Sequence, residues 1–300
     1  MQVKRFDTNP IIVPELDERI LKNINGPAMI RVPDWVKNPL GRYYLYFAHH
    51  QGQFIRMAYA DDIRGPYTVY SPGVLAIEDA PFRKHVASPD VHVDDENQVI
   101  FMYYHGSGPT KETDYRQATC YAESEDGLLF VTDQEYLGPS YLKVVQYDGW
   151  HYGFQGGGAR LLHRSRGRRE VFEPGIQLEI EGETFEENVV RTRHPDLVLR
   201  GHELEVYYSA AGDIPERIKM TRVDLREEWS NLRGSAYVEV LQSEMDYEGV
   251  DLPKVASSGG ASHVPVHEVR DPEIFEEDGK RYLFYTVAGE CGIGGAELID

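Results

Sequence analysis

The chain has 300 residues, of which 41% are hydrophobic and 27% are charged, and its formal net charge is −19. This composition is sufficient for a large buried core, and the negative charge argues against a nucleic acid or an anionic membrane as partner. Two cysteines do not make a disulfide framework. No apolar run approaches the roughly 20 residues of a membrane span, and no signal peptide is evident, so we expect a cytoplasmic protein.

A unit of two strands separated by a polar turn returns five times along the chain. The first strand of each unit is a short apolar run entered through Pro, Asp or Gly, and the second strand is rich in aromatic residues. In chain order, the first strands of the five units lie in the segments 26–30, 88–91, 141–144, 194–197 and 270–273. A period longer than one hairpin, repeated along the whole chain, is typical of a β-propeller.

The repeat predicts an all-β fold, a five-bladed β-propeller with four antiparallel strands per blade, formed by residues 1–300 as a single domain. The fifth unit is one strand short at the end of the chain. We therefore expect residues 2–6 to pair beside residues 293–299, because this closes the ring and removes an exposed sheet edge.

Several motifs follow the strands at similar points of the repeat. They include Ala-Asp-Asp-Ile-Arg-Gly-Pro-Tyr at 60–67, Ser-Glu-Asp-Gly-Leu-Leu-Phe at 124–130 and Arg-Asp-Pro-Glu-Ile-Phe at 270–275. With these motifs the chain resembles the superfamily of five-bladed propeller glycosidases, which contains glycoside hydrolase families 43, 32, 68, 117 and 130. Residues 9–12 are similar to the last of these, the mannoside phosphorylases. The resemblance implies a carbohydrate site in the central funnel.

Three carboxylates lie at the openings of innermost strands: Asp90, Asp196 and Asp271. Because these openings converge at the axis of a propeller, we expect the three to line one cavity with Asn25, His49 and His105. Glycoside cleavage needs a proton donor and a second carboxylate, and a cluster of acids raises the pKa of at least one member. The alternative interpretation is that each Asp is a structural turn residue whose carboxylate accepts hydrogen bonds from backbone amides.

The first unit departs from family 43, whose members usually have an Asp as general base at the opening of the first blade. Asn25 lies there instead and cannot accept a proton. We therefore assign Asp90 as the base or water-positioning carboxylate and Asp271 as an orienting or pKa-setting carboxylate. Asp196 or Glu290 is then the proton donor, although Glu290 also fits a solvated loop residue.

Residues near the same openings are predicted to bind the substrate. Imidazoles titrate near neutrality, aromatic faces pack on sugar rings and guanidinium groups bind carboxylates or hydroxyls. The predicted substrate-binding residues are Asn25, Trp35, His49, His50, His105, Trp150, Arg193, His194 and Arg270. We expect no required cofactor, and the sequence leaves open a structural or catalytic metal ion in the funnel.

The sequence favours an exo-acting glycoside hydrolase for a short oligosaccharide, with a small carbohydrate as its partner. One alternative is a phosphorylase, in which inorganic phosphate attacks. It is favoured if two or more of Arg56, Arg160, Arg193 and Arg270 converge near the acid. The other alternative is a noncatalytic carbohydrate-binding propeller, which the missing carboxylate of the first blade favours.

Overall fold

The computed structural model describes residues 1–157, 160–183 and 191–299. Within these ranges the regular structure consists of 24 strands and short 3₁₀ helices, and no helix there is long and apolar enough to cross a bilayer. The 3₁₀ helices are Pro14–Leu16, Glu18–Ile20, Ile77–Asp79, Trp229–Asn231 and Asp246–Glu248.

The first two blades follow an N-terminal strand. The strands are β1 (Gln2–Arg5), β2 (Asn25–Arg31), β3 (Tyr43–Ala48), β4 (Phe54–Ala60), β5 (Thr68–Val69), β6 (Leu75–Ala76), β7 (Phe82–Asp94), β8 (Val99–Pro109), β9 (Gln117–Ser124), β10 (Val131–Thr132) and β11 (Gly138–Pro139). Blade 1 has the order β2-β3-β4-β5, with β6 also paired to β4. Blade 2 has the order β7-β8-β9-β10, with β11 also paired to β9.

The remaining strands form blades 3, 4 and 5. They are β12 (Leu142–Tyr147), β13 (Trp150–Gln155), β14 (Leu161–Ser165), β15 (Glu173–Gln177), β16 (Arg191–Thr192), β17 (Asp196–Arg200), β18 (Glu203–Tyr208), β19 (Ala210–Ala211), β20 (Ile218–Asp224), β21 (Val238–Leu241), β22 (Arg270–Glu277), β23 (Lys280–Val287) and β24 (Gly292–Ile299). Blade 3 is β12-β13-β14-β15, blade 4 is β17-β18-β20-β21, and β16 pairs with β19 in a small separate ribbon.

Blade 5 confirms the predicted closure of the ring. Its order is β22-β23-β24-β1, so the N-terminal strand supplies the fourth strand. The two strands are antiparallel, with Val3 opposite Leu298. Phe6 then packs edge-on against Tyr282 and Phe284. The five sheets and their four main strands confirm the predicted five-bladed propeller.

One residue lies at the start of the first strand of each blade, next to the axis. We call these five residues the entrance ring: Gly26, Ser88, Tyr141, His194 and Asp271. Four of them have a left-handed backbone, with φ of 55° at Gly26, 48° at Ser88, 61° at Tyr141 and 50° at Asp271. The pairing register shifts directly after this point in blades 1, 2 and 5. A strand places residues i and i+2 on the same face, so a second ring follows.

We call this second set the inner ring, and it lies two positions further along each strand. Its members are Ala28, Asp90, Lys143, Asp196 and Glu273. All five are buried. The two rings lie one behind the other along the axis, because a narrow hollow of about 10 Å³ is lined by entrance-ring residues together with Lys143.

Candidate functional site

Two cavities open at the two ends of the axis, on either side of the hollow. The funnel cavity has a volume of about 420 Å³ and is lined by three members of the entrance ring. The distal cavity has a volume of about 860 Å³ and is lined by four members of the inner ring. The two cavities have no lining residue in common. The propeller therefore has two distinct places where a ligand could bind.

The funnel cavity is lined mainly by polar side chains from several blades. They are His50, Gln117, Tyr141, Thr192, Arg193, His194, Asp271 and Glu290. Tyr141 packs against His194 with its ring tilted by 40° and the ring centroids 4.6 Å apart. A concave site with a few convergent polar groups and an aromatic wall is the usual form of a small-molecule site.

His194 and Asp271 form the first acid–imidazole pair of this cavity. His194 Nδ1 lies 3.0 Å from Asp271 Oδ1, an ion-pair contact that is not aligned as a straight hydrogen bond. Burial by itself would raise the pKa of Asp271, but the contact with His194 and the charges of Arg193 and Arg270 lower that pKa to about 2. Asp271 is therefore a carboxylate at neutral pH.

Glu290 and His50 form the second pair. His50 Nδ1 lies 2.8 Å from Glu290 Oε2, and Arg270 Nη1 donates to Glu290 Oε1 at 3.1 Å. Burial opposes ionisation of Glu290, but the contact with His50 outweighs it and lowers the pKa of Glu290. The Glu290 side chain is 1% exposed and that of His50 is 21% exposed, so the imidazole is the accessible member of the pair.

A buried ionic network supports both pairs from behind. Arg193 Nε lies 2.7 Å from Glu216 Oε1, and Arg270 Nε lies 3.3 Å from Glu216 Oε2. Arg270 also pairs with Glu268. Arg193 uses its other two nitrogens on the backbone carbonyls of Gly260 and Ser258. The guanidinium groups thus have partners from the protein itself.

The other predicted histidines lie behind the cavity wall. His105 is buried against Tyr141, with ring centroids 3.8 Å apart, and neither of its ring nitrogens has a hydrogen-bond partner among the residues that the structure describes. Burial lowers the pKa of His105 well below its usual value and lowers that of His49 to about 4. Both are therefore neutral at pH 7. Among the described residues, no three His, Cys, Asp or Glu side chains are arranged to hold a metal ion.

The distal cavity contains a buried ammonium group among three carboxyl groups. Lys143 Nζ lies 2.6 Å from Glu273 Oε2, 3.4 Å from Asp90 Oδ1 and 3.7 Å from Asp196 Oδ1. Asp90 also accepts a hydrogen bond from the backbone amide of Val144 at 2.9 Å. These four inner-ring side chains come from four blades and meet at one point.

Burial sets the protonation of this cluster, because one ammonium cannot compensate three carboxylates. Burial and the charges of Asp196 and Asp90 raise the pKa of Glu273 to about 8, although Lys143 opposes this shift. Burial also raises the pKa of Asp196. Burial would lower the pKa of Lys143, but the neighbouring carboxylates raise it instead. The cluster therefore retains a proton that is shared among its carboxyl groups.

The structure brings together only part of the predicted site. Asp271, Glu290, His50, His194 and Arg193 line the funnel cavity, as expected. Asn25, His105 and Arg270 are buried behind them, and Asn25 Nδ2, for example, is 2.9 Å from His50 Nδ1. His49 is partly exposed and is not among the residues that line this cavity.

The prediction that Asp90, Asp196 and Asp271 line one cavity is wrong. Asp90 and Asp196 line the distal cavity, whereas Asp271 lines the funnel cavity. The physical reason is the strand register: Asp271 belongs to the entrance ring, whereas the other two residues belong to the inner ring. The role of general base predicted for Asp90 is not compatible with the funnel.

The two predicted aromatic contacts also lie away from the funnel. Trp35 Nε1 donates to Asp95 Oδ1 at 2.9 Å, beside the turn that borders the distal cavity. Trp150 begins β13, and its ring is covered by the guanidinium groups of Arg164 and Arg166. Cation–π contacts of this kind are packing interactions within the protein.

The sequence interpretation missed Ser88, Tyr141, Lys143 and Glu273. A signal for them was present, because Gly26, Ser88, His194 and Asp271 are each followed directly by Pro. Alignment of the repeats on this Pro, rather than on Asp, identifies both rings in four blades, whereas blade 3 has Leu142 at this position and gives no such signal. Glu216 and Glu268 had no comparable signal in the sequence.

Comparison with known proteins supports the fold. No family model matches the chain. A curated protein of Acanthamoeba polyphaga mimivirus, itself described as uncharacterized, is 35% identical over 328 residues, which cover 99% of this chain and 90% of the relative.

Solved structures with the same fold are glycoside hydrolases. A family 43 β-xylosidase/α-arabinofuranosidase from a compost microbial metagenome has a TM-score of 0.61 and 15% identity, over 93% of this chain and 92% of that one. An α-L-arabinofuranosidase from Lactobacillus brevis has a TM-score of 0.64 and 14% identity, over 97% and 92%. A family 43 enzyme from Xanthomonas citri, complexed with xylotriose, has a TM-score of 0.61 and 16% identity, over 93% and 88%. The resemblance predicted from the motifs is thus confirmed at the level of the fold.

Proposed function

The chain belongs to the same protein family as the mimiviral relative and has the fold of the family 43 enzymes, and we propose that it is a glycoside hydrolase for a short oligosaccharide. One observation supports this proposal above the others: two acid–imidazole pairs, Asp271 with His194 and Glu290 with His50, face the same funnel cavity. Glycoside cleavage requires one group that donates a proton and another that activates water or attacks carbon.

The two pairs suit these two roles. Asp271 and Glu290 both have lowered pKa values, so neither is a good proton donor at neutral pH. We assign the donor role to His50, which is the accessible partner of Glu290, and the activation of water to His194 with Asp271. The rings of His50 and His194 are 6.4 Å apart, close to the roughly 6.5–9.5 Å that separates the two catalytic groups of inverting glycosidases.

The size and closure of the funnel cavity favour a short substrate that enters by its end. Its volume of about 420 Å³ is near the lower limit of ligand sites, which is roughly 300 Å³. The hollow behind it is too small for a sugar ring. The Xanthomonas citri enzyme of the same fold has been solved in complexes with xylose and with xylotriose, which supports a small carbohydrate here. The exo mode and the cytoplasmic location are parts of this proposal.

Hydrolysis is favoured over phosphorolysis by the charges around the cavity. Arg193 and Arg270 do converge near Glu290, as the phosphorylase alternative requires. However, these two guanidinium groups face four carboxyl groups, those of Glu216, Glu268, Glu290 and Asp271. A site with this balance of charge does not attract inorganic phosphate.

A panel of aryl glycosides and short oligosaccharides, tested with and without inorganic phosphate, examines the proposal. We expect turnover without phosphate and the release of one sugar at a time from one end of the chain. In His50→Gln, turnover should fall by about a hundredfold or more, because the amide cannot transfer a proton. Trp35→Phe is the control, since Trp35 lies at the distal end.

Three outcomes would contradict parts of the proposal. Formation of a sugar phosphate only when phosphate is present would establish the phosphorylase. Saturable binding of an oligosaccharide without turnover would establish a noncatalytic binding protein. Equal turnover in the parent protein and in a folded His50→Gln variant would remove His50 from the mechanism.

A further inference from the structure

Three members of the entrance ring, from three different blades, are connected by side-chain contacts. Ser88 Oγ lies 2.8 Å from His194 Nε2, and His194 Nδ1 lies 3.0 Å from Asp271 Oδ1. Ser88 is partly exposed and lines the hollow at the floor of the funnel, where His194 lines both the hollow and the funnel cavity. Serine, imidazole and carboxylate are thus arranged in series, and His194 is reached from the funnel.

The contacts select one tautomer of His194. A carboxylate is only an acceptor, so an imidazole with a single proton is best placed when that proton is on Nδ1, the nitrogen 3.0 Å from Asp271 Oδ1. The lone pair on Nε2 then points to the Ser88 hydroxyl and can accept its proton. This is the arrangement by which an imidazole activates a serine nucleophile, and it is recognised by geometry rather than by order in the chain.

The backbone at Ser88 and Asp271 is in a conformation that is unfavourable for residues with a side chain. Residues with positive φ are strained unless they are glycine, and blade 1 has Gly26 at the same position. Ser88 and Asp271 accept this strain, at φ of 48° and 50°. A Cβ added to Gly26 would lie 3.3 Å from Ser88 Oγ, so glycine at this position leaves room beside the hydroxyl.

We propose that Ser88, His194 and Asp271 form a catalytic triad that cleaves a carboxylic ester with a small acyl group, presented from the funnel. Ser88 Oγ would attack the ester carbonyl carbon while its proton moves to His194 Nε2. The carbon–oxygen bond to the alcohol then breaks, and the alcohol leaves with that proton. Water attacks the acyl-enzyme by the same path, which releases the carboxylic acid and restores Ser88.

The acyl-transfer step depends on the triad alone. The identity of the alcohol as a sugar, which makes the substrate an O-acylated carbohydrate, rests on the proposed function. The two proposals can therefore fail separately: a glycosidase without ester cleavage refutes the triad, whereas ester cleavage without glycoside turnover refutes the glycosidase.

The chain contains a matched control for the triad. Ser107 Oγ lies 2.9 Å from His85 Nδ1, a serine–imidazole contact of nearly the same length. Among the described residues, His85 forms no ion pair with a carboxylate, and burial lowers the pKa of His85 to about 4. The Ser107–His85 contact therefore lacks a carboxylate that would orient the imidazole and stabilise its protonated form.

A fluorophosphonate probe tests the proposal on the intact protein. The serine oxygen forms a bond to phosphorus, fluoride leaves, and the serine proton passes to the imidazole, so the product is a stable adduct that mass spectrometry locates. We expect one adduct per chain, on Ser88, and hydrolysis of p-nitrophenyl acetate that falls at least tenfold in Ser88→Ala. His194→Gln should abolish labelling, whereas Ser107→Ala should label as fast as the parent protein.

Circular dichroism and thermal melting establish that each variant is folded before it is compared. If His194→Gln does not fold, Ser88→Ala alone decides, because it removes only one oxygen atom. The proposal is overturned by a folded parent protein that is not labelled, by an adduct on another serine, or by equal ester hydrolysis in the parent protein and in Ser88→Ala.

Discussion

Both ends of the propeller axis contain buried carboxyl groups, but the groups that neutralise these carboxyl groups differ between the two ends. At the distal end, three carboxyl groups surround one ammonium group, Lys143, and compensate one another within the protein. At the funnel end, Asp271 and Glu290 are each paired with an imidazole that faces a cavity. An ammonium group with a raised pKa stays protonated at neutral pH, whereas an unperturbed imidazole gains and loses its proton near neutral pH.

This difference separates a cluster that maintains the fold from one that can perform chemistry. Residues two positions apart on one strand, such as Asp271 and Glu273, therefore have different partners and line different cavities. The presence of carboxylates near the axis is not sufficient to locate a catalytic site. The type of charged partner and the exposure of that partner distinguish a candidate catalytic carboxylate from a structural one.

The largest effect is expected at the distal end, when its ammonium group is removed. Lys143→Met keeps the length of the side chain but leaves buried carboxyl groups without a counter-ion, which should lower the free energy of unfolding by about 3–5 kcal/mol. Urea denaturation at neutral pH measures this loss. Lys111→Met is the control: Lys111 is exposed and pairs only with Glu135, so its denaturation midpoint should not change. An unchanged midpoint for Lys143→Met would show that the cluster is not structural.

The second effect distinguishes the two ends by activity. Asp271→Asn should reduce turnover of a true glycoside substrate by about a hundredfold, equivalent to about 2.7 kcal/mol of transition-state stabilisation. Asp90→Asn should keep turnover within a few-fold of the parent protein, since Asp90 lines the other cavity. Steady-state kinetics on folded protein measure both variants. The reverse order would return the general base to Asp90, where the sequence interpretation had assigned it.

The third effect is a difference in pH dependence. The folded-state pKa of Glu273 is about 8, above its usual value of 4.5, so the folded state binds a proton that the unfolded state has released. Stability from this group is complete below pH 4.5 and is lost as the pH rises towards 8, with a slope of up to about 1.4 kcal/mol per pH unit. Glu273→Gln should flatten this decline in urea titrations. An unchanged slope would contradict the raised pKa.

The funnel end should respond at the opposite side of the pH scale. The folded-state pKa of Asp271 is about 2, below its usual value of 3.8. Stability from this group is present above pH 3.8 and is lost as the pH falls through 2. Asp271→Asn should therefore weaken the pH dependence of unfolding only in acid.

The smallest effect concerns a histidine of the distal end. His92 Nε2 lies 2.9 Å from Asp90 Oδ2, and its side chain is 29% exposed. His92→Gln should cost less than about 1 kcal/mol, because exposed ion pairs contribute little and Val144 and Lys143 still contact Asp90. Thermal melting measures the change, and glycoside turnover should be unaffected. A loss of turnover comparable to that of His50→Gln would remove the distinction between the two ends.

The sequence by itself determined the architecture. Alternating apolar and polar residues, turns rich in Gly and Asp, and five returns of one unit are local properties, and they predicted the five blades. The missing strand at the end of the chain predicted the pairing of β1 with β24, because a sheet edge without a partner is unfavourable. Asp271, Glu290, His50 and His194 were predicted site residues, and they line one cavity.

Only the tertiary structure decided which end of the axis each carboxylate serves. Asp90 and Asp271 both lie beside a proline, but Pro89 precedes the first and Pro272 follows the second. The kink at the entrance ring converts this offset of two residues into a position on the opposite side of the hollow. The partners of each carboxylate, Lys143 for Asp90 and His194 for Asp271, come from other blades. Charge compensation across blades depends on distances in space, and a single sequence does not contain them.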